Sequence, residues 1–421
     1  MNFLRYEFAL AGLLGVIGMT EQLMAQPSHT AALVGATVID GTDPPALADA
    51  VVLIENGRIL QVGPRSKVAI PAGAERKDLT GLTVLPGLID SHVHITFALR
   101  RGPNDPQADA ILNGILQEFL RNAVTSIRDV GAAYPWILDI AHSVDEGQRQ
   151  GPHIFAAGPM LTAPGGHPVA TLVRGNEPAI ASATRQIASA EQGREVVRDL
   201  AKGGVDTIKV VLASRGRPNS PERIPTLNGQ VLAAITAEAR VLEVPSTVHW
   251  GSVSELPAVV AARPVQLEHS GYTPIPVGLI EQIARAGIVV DPTLTVMSAS
   301  ISSPDEFAAG PLQNVSRLHH AGVAITAGTD APLLGLPFGE SLPRELELLV
   351  KAGLSPMEAI QAATRNPARL LKRGNQIGTI EAGKRADLIA VAGDPLRNIS
   401  DIRKIRLVLR AGIVVVNNGQ K

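Results

Sequence analysis

Eight runs rich in β-branched and apolar residues lie within residues 83–377, most of them followed by a helical stretch. Four of the ten histidines fall at the C-terminal ends of such runs. Together these predict an α/β protein whose main domain is a (β/α)8 barrel of the TIM type, in which each strand is followed by a crossover. The chain ends share a different texture, short strands broken by Asn-Gly or Gly, and neither end has enough strands to close a core alone. Residues 26–82 and 378–421 are therefore expected to pair into one small β-sandwich beside the barrel. An open doubly wound sheet is the competing fold, disfavoured because no glycine fingerprint follows a first strand.

Residues 1–25 place Arg5 before the apolar run Phe8–Met19 and a polar stretch containing Ala25, which is the order of a secretory signal peptide. Glu7 and Leu23 depart from that pattern. The apolar run is too short to span a bilayer, so the expectation is an exported protein, periplasmic or secreted, with no stable membrane span after signal removal. Apolar residues make up 45% of the chain and charged ones 18%, which supplies a large core and argues against disorder. A net charge of −1 and the lack of a basic stripe exclude nucleic acid as a partner and leave a small-molecule substrate, with a homo-oligomer compatible. The absence of cysteine removes thiolate ligands, disulfides and a lipoprotein anchor.

The expected barrel strands are Thr83–His94, Val124–Gly131, His153–Gly158, Asp206–Leu212, Ser246–Trp250, Val265–His269, Ile288–Thr293 and Val323–Thr329. Helices are expected over Ala108–Asn122, Ala179–Lys202, Leu227–Leu242 and Val277–Ala286. Ser355-Pro356-Met357-Glu358 has the form of an N-cap, a Pro at the first helical position and a capping-box Glu. That last helix is expected to reach about Arg365, with Asn366-Pro367 interrupting it.

The stretch LTVLPGLIDSHVHI, Leu82–Ile95, carries Asp90, His92 and His94 at alternate positions, so all three share one strand face. His249 ends the fifth expected strand, His269 the sixth and Asp330 the eighth, while Lys209 lies within the fourth. A barrel gathers the C-terminal ends of its strands at one mouth. Imidazole and carboxylate suit zinc or a similar divalent ion. A lysine buried near cations is driven neutral, and a neutral amine can take up carbon dioxide as a carbamate that bridges two ions. Taken singly each residue has an ordinary reading: a strand lysine, a capping aspartate, core histidines. Their shared place at strand ends carries the metal reading. The expected assignment is His92, His94 and Asp330 on one ion, His249 and His269 on the other, with Lys209 between them. Asp90 is expected to orient a ligand histidine from behind.

With these motifs the chain resembles the amidohydrolase superfamily, and within it the imidazolonepropionase-like proteins and the binuclear-metal, prolidase-like dipeptidases. The likeness runs through LPGLIDSHVH, TSIRDVG, GGH at Gly165–His167, TIKV, VHW, LEHS, AGTDAP and the tail from GLSPMEAIQAATRNPARLL to IGTIEAGKRADLIAV. The resemblance implies a metal-dependent barrel, a β-sandwich from both termini and a carbamylated Lys209. Three places depart from the dipeptidase pattern: Ala213–Gly216, Gly165–Pro168 and Trp250. All lie on loops expected to shape the substrate pocket.

The expected reaction is hydrolysis of an amide bond in a dipeptide or N-acyl amino acid, by a metal-bridging hydroxide with Asp330 as general base and acid. His167 is the expected oxyanion donor. Arg174, Arg215, Arg217, Tyr272 and His167 are expected to hold substrate, arginine being suited to a carboxylate. Alternatives are a lactonase or phosphotriesterase, an imidazolonepropionase-like cyclic-amide hydrolase, and an inactive metal-binding barrel. His319 and His320 are read as structural.

Overall fold

The computed structural model describes residues 30–43, 45–99, 102–215 and 222–419. The expected signal segment, residues 1–25, lies outside the described residues. No helix among those described is long and apolar enough to cross a membrane.

The chain starts as strands. β1 (Thr30–Val38) pairs antiparallel with β2 (Leu47–Glu55), and β2 with β3 (Arg58–Pro64). The β2–β3 turn is Asn56-Gly57, both left-handed (φ 49° and 78°), as a two-residue hairpin needs. An added Cβ on Gly57 would stand 2.7 Å from the Ala411 carbonyl oxygen, so the close approach of the C-terminal strands also requires glycine here. β4 (Glu75–Asp78) and β5 (Leu82–Pro86) both lie parallel to β1.

The central region is parallel. β6 (Leu88–Val93), β7 (Val124–Asp129) and β8 (His153–Ala156) form a three-stranded sheet. A second sheet contains β9 (Met160–Thr162), β10 (Thr184–Gln186), β11 (Ile208–Leu212), β12 (Ser246–Trp250), β13 (Gln266–Glu268) and β14 (Val289–Asp291). Its order is β10-β9-β11-β12-β13-β14. Asp206 N donates to the Ala156 carbonyl at 2.8 Å, tying the end of β8 to the approach to β11. On the other side, residues 323–331 lie between β14 and β6 through bridges Val290↔Ile325 and Val93↔Ala331. The expected eighth strand is thus a bent segment with isolated bridges. Asp330 is left-handed (φ 63°), and Gly328 sits so close to β6 that a Cβ would fall 2.5 Å from His92 Cβ.

Other expectations are corrected too. The helix expected over Ala179–Lys202 is two helices, Glu177–Ala183 and Ala190–Lys202, with β10 between them. Thr184, Arg185 and Gln186 pair with β9, and the Ser189 side chain accepts from Gln192 N to start the second helix afresh. The Ser355–Glu358 capping box is present, but its helix stops at Ala362. A new helix, Arg365–Leu370, takes Pro367 in its first turn, where no backbone N–H is needed.

The chain ends with β15 (Leu388–Ala392), β16 (Ile405–Arg410) and β17 (Ile413–Asn417). β15 pairs with β5, so the terminal strands form one continuous sheet, β17-β16-β15-β5-β1-β2-β3 with β4 beside β1. The two chain ends thus pair as expected, and β5, paired on both edges, joins them. Leu33, Val52, Ile54, Leu388, Leu407 and Leu409 on its inner side make a core of their own.

Candidate metal centre

His92, in β6, and His94, just past its end, are both buried. The His92 ring is bracketed by acids: Nδ1–H donates to Glu268 Oε2 at 2.8 Å, and Nε2 lies 3.3 Å from Asp330 Oδ1. Burial and Lys209 work against the charged ring, yet these two carboxylates hold His92 up at about 9. His94 Nδ1–H donates to the Gly131 carbonyl at 3.0 Å, which turns Nε2 toward Asp330 Oδ1, 3.2 Å away. Asp330 N donates to the His92 carbonyl at 2.8 Å, so the β6 backbone itself sets the carboxylate beside both rings. Burial would raise Asp330, but His92, His94 and His269 hold it well below the usual carboxylate range.

His249, on β12, and His269, just past β13, meet edge to face with ring centroids 4.6 Å apart and Nδ1···Nε2 at 2.7 Å. Burial holds both below the usual imidazole value, His269 at about 3. Neutral rings have the lone pairs a cation needs. His92, His269 and Asp330 each present a ligand atom within 4.8 Å of the others, so the two expected histidine pairs share one centre. Lys209 projects from β11 one register step below His249, with Lys209 opposite Thr247 and Val211 opposite His249. It is 2% exposed, its Nζ has no partner, and burial disfavours its ammonium form. An orphaned amine coupled to the His92, His249 and His269 rings and to the Asp330 carboxylate fits a centre completed by a ligand.

The substrate-side residues are less uniform. His167 stacks on His249 at 5.0 Å, its Nδ1 2.7 Å from Thr171 Oγ1, and burial brings it down to about 4. Tyr272 OH lies 3.2 Å from Ser300 Oγ. Arg174 is exposed, Arg215 half-buried after β11, and Arg217 lies outside the described residues. Trp250 is buried against Gly271, its Nε1 without a partner. His319 pairs with Glu358 at 3.0 Å, away from the centre.

Asp90 does not reach a ligand ring. Its oxygens accept from Thr329 Oγ1 at 2.8 Å, Thr329 N at 3.1 Å and His92 N at 3.3 Å, which fastens the Asp330 segment to β6. Glu268 is the acid that orients His92, and sequence reasoning missed it. It also accepts from Arg128 Nη2 at 2.8 Å and from Thr247 Oγ1. Burial would raise Glu268, but Arg128, His92 and Lys209 keep it well below the usual range. Arg128 Nε donates in turn to the Ser91 carbonyl at 2.6 Å. The signal was present as RDVG and LEHS, but strand alternation places Glu268 and His269 on opposite faces. His269 is left-handed (φ 71°) and escapes that alternation.

Solved structures of the same architecture include a putative prolidase from Bifidobacterium longum, 27% identical, TM-score 0.75, covering 93% of this chain and 96% of that one. Phenylurea hydrolase B is 26% identical, TM-score 0.77, covering 92% and 96%. Among sequences, an imidazolonepropionase of Geobacillus kaustophilus (strain HTA426) is 24% identical over 409 residues, spanning 88% of this chain and 90% of its own. The amidohydrolase family pattern matches residues 83–415, and with the histidines, lysine and aspartate so placed the chain belongs to the amidohydrolase family, enzymes that act on C–N bonds.

Proposed function

We propose that this protein is a binuclear metal hydrolase that cleaves the amide bond of dipeptides or N-acyl amino acids. One observation carries the reading: the buried amine of Lys209 has no hydrogen-bond partner, yet it interacts electrostatically with the His92, His249 and His269 imidazoles and the Asp330 carboxylate. In it, His92, His94 and Asp330 would hold one ion and His249 and His269 the other, with carbamylated Lys209 as a further ligand. Zinc is the ion that this donor set suits best. Bound there, the metal pair supplies an acidified water and a Lewis acid for the carbonyl. Asp330, kept ionised by its imidazole neighbours, would serve as the base that takes a proton from the attacking water and as the acid that returns it to the leaving nitrogen. His167, stacked on His249, donates to the developing oxyanion.

The same reading takes β6, β7, β8, β11, β12, β13, β14 and residues 323–331 as one eight-membered (β/α)8 ring, and residues 1–25 as an export signal. The likeness to a structure described as a putative prolidase supports the dipeptide class. The likeness to an imidazolonepropionase supports a second reading, a cyclic-amide hydrolase. Metal analysis separates them: close to two ions per chain supports the binuclear reading, and one ion the second. A panel of dipeptides, N-acyl amino acids, cyclic amides and lactones, assayed with metal restored, tests the substrate class. Turnover confined to lactones or cyclic amides would refute the dipeptide proposal.

A further inference from the structure

The short helix Leu294–Ser300 links two parts of the site. It begins one residue after Thr293, whose hydroxyl lies 2.7 Å from His269 Nδ1, and its last residue, Ser300, meets Tyr272. Thr293 is left-handed (φ 46°), a conformation that a β-branched residue rarely keeps unless its surroundings impose it. It also gives the helix no side-chain cap. The free N–H groups of the first turn are instead met from another element.

Glu345, on the helix Ser341–Lys351, reaches across to this turn. Its Oε1 accepts from Leu294 N at 2.8 Å, and its Oε2 accepts from Thr295 N and Thr295 Oγ1, both at 2.7 Å. Glu345 is fully buried and forms no ion pair among the described residues. A leucine would fill that space without the desolvation of a carboxyl group, so the acid's use is directional. What it aims is the backbone that carries Thr293.

We propose that Glu345 is a positioning residue for the second histidine pair: by clamping the turn at Leu294 and Thr295 it holds the Thr293 hydroxyl on His269 Nδ1, which leaves His269 Nε2 facing His249. The proposal rests on the reading of His269 as a metal ligand. It makes the partner of a ligand's distal nitrogen depend on a residue two contacts away.

The test compares Glu345→Gln, Thr293→Val and the double variant with the unaltered protein. Metal per chain is measured after equilibration against buffered zinc. The single variants should keep the ion of His92 and His94 and bind the second about 10- to 100-fold more weakly. The double variant should be no weaker than Thr293→Val, because both act through one contact. Unchanged second-ion affinity, equal loss of both ions, or additive losses would overturn the proposal. If Glu345→Gln does not fold, Glu345→Asp, one methylene short of the turn, carries the same test. An unaltered protein that binds fewer than two ions would refute the binuclear reading instead. The clamp is then judged on metal-free protein by modification of His269 with diethyl pyrocarbonate, located by peptide mass spectrometry. Faster modification in the Glu345 variant supports it, and an unchanged rate overturns it.

Discussion

On the proposed binuclear reading, Lys209→Met should stabilise the metal-free protein while removing the second ion and turnover, two effects of opposite sign from one substitution. The Lys209 amine is 2% exposed and has no hydrogen-bond partner, so without a ligand the fold bears the desolvation of a polar group that nothing repays. A buried unsatisfied donor costs about 1–3 kcal/mol, and methionine fills nearly the same length with no donor. Chelator-treated Lys209→Met should therefore be more stable by about 1–3 kcal/mol in urea denaturation. With zinc and bicarbonate restored the order should reverse, since only the unaltered chain gains the binding free energy of both ions. A metal-free Lys209→Met less stable than the parent would refute the reasoning, for it would mean that the amine is satisfied in the fold.

Glu268→Gln removes one partner of the buried Arg128 pair and the acceptor of His92 Nδ1; it should cost about 3–5 kcal/mol in a denaturation curve. His167→Ala should lower kcat by about 10²–10³-fold, the loss expected for one oxyanion donor, with metal content unchanged; lost metal would make His167 a support for His249 instead. Burial raises Glu345 from 4.5 to about 8, with Asp291 the acid that adds to the shift. The fold then holds this proton more tightly than the unfolded chain, so the stability it contributes is full below about pH 4.5 and is lost as pH rises through about 8. Metal-free Glu345→Gln should show a flatter stability profile between those limits, and parallel profiles would refute the assignment.

The gathering of His92, His94, Lys209, His249, His269 and Asp330 was legible because each falls at or near a strand end, where residue type and period-two alternation suffice. What was not legible depends on departures from that alternation. Left-handed backbone at His269 and Asp330 lets consecutive residues face one interior, which hid Glu268 and made an eighth strand look regular. The Leu294–Glu345 and Glu268–His92 contacts join residues remote in sequence whose types have commoner uses on a helix or strand. The Ser355–Glu358 box could be read locally because it is made locally, whereas the end of its helix was misread because a first-turn proline looks like a terminator. Asp90 meets the ligand histidine His92 through its backbone N–H, not its ring, and accepts in addition from the Thr329 hydroxyl and N–H.

The place of β5 between β1 and β15 bears on how the chain is made. During synthesis β1 and β5 emerge early, while the strand that covers β5's other edge arrives only after the whole central region has been translated. In the interval a nascent chain presents an unpaired edge and a bare apolar face at Leu33, Val52 and Ile54, the kind of surface on which chains adhere to one another. Chaperone dependence, and losses during expression, should therefore track how quickly the ribosome delivers the last three strands rather than anything at the centre that holds the histidines.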